Sequence, residues 1–567
     1  MRITDTIPTY TRRHRILALL ILCLLGLWMA VPASAQRNRN RPQDERIYLD
    51  HADSLYFDEY QRHDTQVVRG NVKFRHRGSV LYCDSAYFKQ QENTFQAFGH
   101  VRLLQGDTLE IRCDTAFYDG RNDADMVHAQ HNVLVVHRKT SELRTDNLIL
   151  DQKFNIVYYD EGGNYTDKAK GMMLSSDWGK YNLDTKEAEF FYKVKLRTKT
   201  HVITTDTLYY YSQDDRAYVK GGKTEFDNGR RTWSKSTIHS IRDGYDVETT
   251  NCVYFMKTDQ VELYDKSSIN NDIRTITGDS LYYDSSSKTS RGYGRVFYED
   301  RKNKNRLIAD AVDYNEQTGT GMATKNPLYV DYSQKDTLYL HADTIRVETF
   351  NLDTDSLYRK VHCYHKVRMF RNDVQAVCDS MVICTLDSTI TLYYDPIVWN
   401  AHRQLLGDSI RVFLNDSTVR EAHVMQNALS LEQMHDLKDP GKVYYNQVAS
   451  TRMNAYFDEG NIRMSEAIGN VLAIYYPVDE SDSSLVGMVY VETDTMRMFI
   501  TKERRLDRIW TSKAEGIMYP VFQIPEGKDR LPNFGWYDYI RPLHKDDIYY
   551  VEERHKKKTI ATTYKYE

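Results

Sequence analysis

Proline is nearly missing from this chain, 11 residues in 567, so little interrupts backbone pairing along its length. Long apolar runs are missing too: beyond residues 16–31 nothing approaches a membrane span, and 28% of the residues are charged. The two signs almost cancel, leaving a formal net charge of −4, which argues against a general nucleic-acid binder. Catalytic signatures are also absent. There is no His-Glu-x-x-His, no Gly-x-Ser-x-Gly, no CxxC pair and no phosphate-binding loop that could harness ATP.

What the chain has in quantity is tyrosine, 44 residues, set in aromatic and β-branched runs punctuated by Asp, Asn, Gly and Ser, the composition of many short strands. It opens with Arg12, Arg13 and Arg15, an apolar run from Ile16 to Val31, and Pro32-Ala33-Ser34-Ala35, the three parts of a secretory signal peptide. Residues 1–35 are therefore expected to direct export and to be removed.

A local pattern recurs at Asp53, Asp84, Asp114, Asp146, Asp177, Asp206, Asp279, Asp310, Asp343, Asp379, Asp408 and Asp494, usually in steps of about 29 to 36 residues. Two longer gaps, after Asp206 and after Asp408, should hide degenerate units. Three residues before the Asp stands an apolar side chain, as in Leu81, Ile111, Leu143, Ile203 and Ile276; the residue just before is small. Two and four residues after it come apolar or aromatic side chains, as in Leu55 and Phe57, Leu148 and Leu150, Leu208 and Tyr210, or Leu281 and Tyr283. Strand side chains alternate faces, so the positions before and after the Asp have opposite parity. A bend or bulge at the Asp would turn both limbs of the strand inward, giving a V with an apolar inside.

Between the bends the pattern predicts polar turns and a restart of the type Gly70-Asn71-Val72, Gly99-His100-Val101 or Gly469-Asn470-Val471. Each unit is long enough for two strands and their turns. Stacked at ~4.8 Å per strand, some fourteen units would make a body on the order of 130 Å long.

These columns resemble the OstA-like (LptA) family of lipopolysaccharide transport proteins. Ala52-Asp53-Ser54-Leu55-Tyr56-Phe57-Asp58, Gly70-Asn71-Val72, Cys83-Asp84-Ser85-Ala86 and Gly278-Asp279-Ser280-Leu281-Tyr282-Tyr283-Asp284 carry the resemblance. It implies an all-β fold, an elongated, repeat-built β-jellyroll of V-shaped, stacked antiparallel strands, and a periplasmic protein that carries lipid acyl chains in an apolar groove from inner to outer membrane. The groove lining would be Leu55, Phe57, Leu81, Leu109, Ile111, Tyr118, Leu143, Leu148, Ile203, Leu208, Ile276, Leu281 and Tyr283. Burying a methylene is worth roughly 0.8 kcal/mol, so a chain of about twelve carbons could gain several kcal/mol there. The implied partners are lipopolysaccharide and the inner- and outer-membrane transport components, met by end-to-end strand pairing at free edges, which could also pair copies of the chain. No nucleic acid, metal, cofactor or catalytic residue is expected. The alternative is a structural or adhesive β-solenoid with a solid core that binds a glycan or a protein.

On this reading residues 1–35 are the signal peptide, 36–350 the OstA-like repeats, 351–500 their divergent continuation and 501–567 a short, irregular C-terminal cap or docking tail. In the last, Pro520, Pro525, Pro532 and Pro542 cluster around Phe534-Gly535-Trp536-Tyr537, and Lys556-Lys557-Lys558 ends a basic run. A carboxylate repeated in every unit fits a structural bend better than a catalytic or calcium site, and Asp119 to Asp125 fits a polar turn. Six cysteines follow the signal, an even number that permits disulfides in an exported protein. Cys83 and Cys113 should lie about 10 Å apart and remain buried thiols, while Cys378 and Cys384 are near enough in sequence to pair.

Overall fold

The computed structural model describes residues 46–549 apart from 58–63, 122–123, 222–223, 228–229, 234, 353, 416–417, 437–438, 480, 482–483 and 503–505. Residues 1–35, expected from the sequence to be a signal peptide, and the lysines at 556–558 thus lie outside the described residues. Among the described residues there are strands, turns and short 3-10 turns but no α-helix. The chain forms two compact units, one ending at Ala169 and one beginning at Lys170.

In the first unit the strands Gln66–His76, Ser79–Lys89, Thr94–Gln105, Leu109–Asp119, Met126–His137 and Ser141–Asp151 each pair antiparallel with the next. The bend read from the sequence is visible in the burial of Ser79–Lys89. Leu81 and Cys83 are buried, then Ala86 and Phe88, so the inward face passes from odd to even residues at Asp84. Leu109–Asp119 repeats this around Asp114. We term the part before the Asp the first limb and the part after it the second limb.

The Gly-Asn-Val segment differs from the expectation of a restart between turns. It lies in mid-strand: Arg69 faces Ser85 and Val72 faces Cys83, so Gly70 and Asn71 together oppose the single residue Asp84. Both bulged residues are left-handed, with φ of +77° and +45°. That conformation favours Gly and Asn, which explains the two letters, although His131-Asn132 and Gln426-Asn427 adopt it too. A two-residue excursion leaves parity unchanged, so Val68, Val72 and Phe74 all point inward. Bend and bulge therefore interlock. The Asp53 N–H donates to the Gly70 carbonyl at 2.9 Å and its carboxylate accepts from Asn71 at 3.0 Å. Asp408 makes the same two contacts with Gln426 and Asn427.

The two long gaps in the Asp column contain threonine in its place. Thr250 donates to the carbonyl of Asp265, first residue of a left-handed pair Asp265-Lys266, and Thr451 donates to Gly469, first of the pair Gly469-Asn470. A hydroxyl that donates to the first bulge carbonyl stands in for a carboxylate that accepts from the second bulge side chain, but a search for Asp passes over it.

The second unit continues the same scheme through strands such as Gln260–Asn270, Arg274–Asp284, Thr289–Asp300 and Tyr358–Phe370 to Gly487–Ile500, and adds Leu506–Thr511 and Ala514–Pro520. Between its limbs lies a core that includes Leu340, Cys363, Ala376, Met381, Ile410 and Met453. In the C-terminal strands the first limb buries its other face as well: Val448 and Ala473 join that inner core, while Ala449 and Ile474 join a separate cluster with Tyr444, Tyr476 and Met488. The segment after Pro520 covers that outer face, contributing Leu531, Phe534 and Trp536.

All six cysteines of the described chain are free thiols, five of them buried. Cys378 and Cys384 do not pair; the Cys378 thiol donates to the Ser380 carbonyl instead.

Candidate functional site

In each of the two units the described repeats contribute to the inside of the V, and its character differs between them. In the first unit it is filled. Leu81, Leu109, Ile111 and Leu148 are at most 5% exposed, and Phe74, Phe95 and Tyr118 stack across the interior with ring centroids 4.9 and 5.5 Å apart. Ile203 and Leu208, early in the second unit, are fully buried and Leu281 nearly so. Leu143, Ile276 and Tyr283 are half-buried. Leu55 and Phe57 lie on the first described strands, facing the same way as the buried Val68 next to them, and are about half exposed, at 49% and 57%.

The mouth of the V is closed by polar clasps that sequence reasoning missed. Tyr118, on the second limb, donates to Asp125 at 3.0 Å and lies 2.9 Å from Nε2 of His76 on the first limb. Arg77, beside His76, donates to the other Asp125 oxygen at 2.7 Å. In the same unit the Ile47 N–H reaches Asn93 at 3.0 Å and Gln152 reaches Ser79 at 3.2 Å. Within the second unit Tyr210 donates to Asp215 and accepts from Lys170. Tyr254 donates to Asp259 and meets His201 Nδ1 at 3.2 Å.

The three tyrosine clasps share one construction: a Tyr four residues past the bend, an Asp at the left-handed turn that follows, and a histidine or lysine from the facing side. Asp125, Asp215 and Asp259 have φ of 47°, 51° and 55°. Burial alone would raise the pKa of Asp125, but hydrogen bonds from His76 and Tyr118 and the charge of Arg77 outweigh it and hold the carboxyl below its ordinary value. The Asp119–Asp125 turn is thus built around protein partners, since Asp119 in turn binds Arg121.

From Tyr283 onward the turn residue changes. The left-handed positions after Tyr283, Tyr314 and Ile383 are Lys288, Gly319 and Ser388. The polar side chains at the tips now bond within one limb, as Arg306 and Tyr332 do with Glu299, or Asn315 with Thr289. The inner columns loosen accordingly: Ile276, Tyr283, Leu307, Val347, Ile383 and Val412 are half-buried, and Tyr314 is 37% exposed. A signal for this was present, since five residues after the tyrosine the chain reads Asp215 and Asp259 in clasped repeats but Lys288 and Gly319 in later ones.

The residues of the repeated Asp column are held by their bulges. The Asp84 carboxylate accepts from His100 at 2.7 Å, which raises the His100 pKa, and Asp279 is paired with Arg295 at 2.7 Å, which lowers its own. These carboxylates are structural partners.

Stacked antiparallel strands, each bent at an Asp against a two-residue bulge around an apolar interior, define an all-β jellyroll of V-shaped rungs. Residues 44–206 match the family model described as OstA-like protein, and this part of the chain is an OstA-like domain. The bend and bulge continue past that match, through Asp279 to Thr451. Among solved structures the chain is similar to LptH, the LptA-homologous periplasmic component of the conserved lipopolysaccharide transport device from Pseudomonas aeruginosa. The identity is 14%, over 21% of this chain and 81% of that one, with a TM-score of 0.18. No curated protein matches the chain.

Proposed function

We propose that the protein is an exported, periplasmic lipopolysaccharide-binding protein, without enzymatic activity, that holds acyl chains between the limbs of its bent strands and serves as a bridge from inner to outer membrane. The observation that carries this reading is the unclasped stretch of the second unit. There apolar columns that are mostly buried in the first unit are only partly buried, as at Ile276, Tyr283, Ile383 and Val412, the last two lying against the core between the limbs. The OstA-like domain at 44–206 supports the class of ligand. A lining repeated on successive strands offers many similar sites, so a hydrocarbon chain can shift along it without meeting one deep well. Net direction must then come from a partner, and the free edge strands are where transport components, or a second copy, would add by strand pairing.

Of the sequence-derived lining, Ile276, Tyr283 and the neighbouring Leu281 belong to this stretch. Leu81, Leu109, Ile111, Leu148, Ile203 and Leu208 serve first as core, and Tyr118 as a clasp. Leu55 and Phe57 are placed to meet whatever lies against the first described strands. The test is lipopolysaccharide carrying a photoreactive group on its acyl chains, mixed with the purified mature protein. Crosslinks are expected at Ile276, Tyr283, Ile383 or Val412 and not at outward-facing Tyr282 or Arg411. Folded protein that yields no adduct at the inner positions would sink the proposal.

A second reading, a solid β-solenoid that binds a glycan or a protein on its outside, is favoured by the burial of most of the interior in the first unit. It predicts no acyl adduct anywhere and ligand protection of outward tyrosines.

A further inference from the structure

Three glutamines buried on the outer face of the first limb of the second unit are not explained by packing alone. Gln447, Gln404 and Gln375 are 0%, 1% and 3% exposed, and burying an amide costs free energy unless its hydrogen bonds are met. They are met in part nearby, as where Gln375 donates to the Arg371 and Asn372 carbonyls and Gln404 accepts from Trp399, and otherwise by the segment after Pro520. Gln447 donates to the carbonyl of Asp529 at 2.7 Å and accepts from the N–H of Leu531 at 2.9 Å. Gln404 repeats the arrangement six residues on, donating to Gly535 at 2.7 Å and accepting from Tyr537 at 2.8 Å. Each amide pairs with the backbone of residues two apart, as a neighbouring strand would, so capture is by main chain. Gln375 then accepts from Arg541 at 2.8 and 2.6 Å, Arg368 donates to the carbonyl of Ile540 at 3.0 Å, and Tyr549 packs on His341 with centroids 4.8 Å apart. As this strap advances from Asp529 to Tyr549, its partners step back through the chain from 447 to 341.

The span it covers is drawn from the stretch in which, among the described residues, no tyrosine–aspartate clasp of the earlier kind joins the two limbs. Where no such clasp joins the tips, a limb is positioned by the core on its inner face and by whatever covers its back, and a sheet covered on both faces is stiffer than one half solvated. We infer that the strap is a brace: by capturing residues 529–549 on the back of the first limb, the glutamines set the separation of the two limbs around the core between them. This concerns the spacing of the limbs and holds whichever ligand lies between them; its failure leaves the lipid reading to its own crosslinking test.

The experiment uses the full mature chain with a protease site inserted in the exposed turn Pro525–Lys528, so that folding precedes any release of the strap. In a Cys384→Ser background, spin labels at His402→Cys and Asn415→Cys report the distance between limb tips in the braced stretch. Labels at Lys199→Cys and Asp214→Cys do the same in the clasped one. After cleavage, the chain with its native glutamines is expected to retain the fragment on gel filtration, and Gln404→Leu/Gln447→Leu to lose it. Loss should shift or broaden the 402–415 distance and leave 199–214 unchanged. The inference is overturned if the native glutamines already release the fragment, if the double variant holds it equally well, if the 402–415 distance ignores its loss, or if both distances change alike.

Discussion

Tyr118 and His76 stand 42 residues apart in the chain, and their side chains meet at 2.9 Å to join the tips of two limbs that have no backbone pairing with each other. The contact is buried, and Asp125 and Arg77 complete it. Replacing Tyr118 with Phe keeps the ring in its stack with Phe95 but deprives Asp125 and His76 of a partner. Loss of one such bond in a buried network should cost about 1–3 kcal/mol. Chemical denaturation of the purified variant measures it, and a change within error of zero would mean the clasp does not hold the limbs.

Bulge and bend should be coupled. Gly99 has φ of +74°, and a Cβ there would fall 2.4 Å from an oxygen of Asp84. Gly99→Ala is expected to destabilise by roughly 1–3 kcal/mol, part for the left-handed backbone and part for the displaced carboxylate. Asp84→Ala removes only the second part, so the double variant should be more stable than the sum of the two singles predicts. Strict additivity in a double-mutant cycle would argue against the interlock.

The degenerate repeats offer a conversion. Thr451 occupies the Asp position opposite Gly469-Asn470, and its hydroxyl donates to the Gly469 carbonyl at 3.2 Å. Thr451→Asp should be tolerated within about 0.5 kcal/mol, because Asn470 can donate to a carboxylate as Asn71 does to Asp53. Thr451→Val, which removes the hydroxyl bond to that carbonyl, should cost about 1 kcal/mol. Thermal melts of the two variants rank them, and the reverse order would remove Thr451 from the series.

Stability should also depend on pH through two buried histidines. Burial pushes the pKa of His201 down, against the pull of Asp259 and Asp243 and with Arg242 and His239 acting in the same downward sense. Burial lowers that of His341 too, against its bond to the Pro327 carbonyl and the charge of Asp343, with Arg368 and Lys366 also lowering it. A histidine whose folded pKa lies below its unfolded value of about 6.5 binds more protons when unfolded. Its contribution is therefore complete above about pH 6.5 and is lost as the pH falls toward the folded pKa. Asp125, lowered instead below an unfolded value of about 3.9, acts in a separate and more acidic window. Tm should fall between pH 7 and pH 5, and His201→Gln with His341→Gln should flatten that slope. An unchanged slope would place the titrating groups elsewhere.

The fold was legible wherever its cause is local. A bend changes the parity of the apolar residues around Asp84 within ten positions, so the sequence displays it directly, and the small residue before each Asp marks the inside. The bulge is written in the same stretch but reads equally well as a restart, because Gly-Asn signals a left-handed backbone without saying whether that backbone lies in a turn or opposite an Asp on the next strand. Substitution of Thr250 and Thr451 for Asp hid two units for a related reason: the bulge asks for a polar side chain of short reach, not for a charge.

By itself the sequence determined the periodicity, the inward columns and hence the antiparallel, bent-strand class, since these follow from nearest-neighbour alternation. Only the tertiary structure decided how far apart the limbs stand. That distance depends on side chains meeting across the V, such as His76 with Tyr118, and on Gln404 and Gln447 gripping a segment more than eighty residues downstream. Neither partner in such a pair carries a local mark of the other, because the free energy that joins them arises only when the limbs have already been brought together.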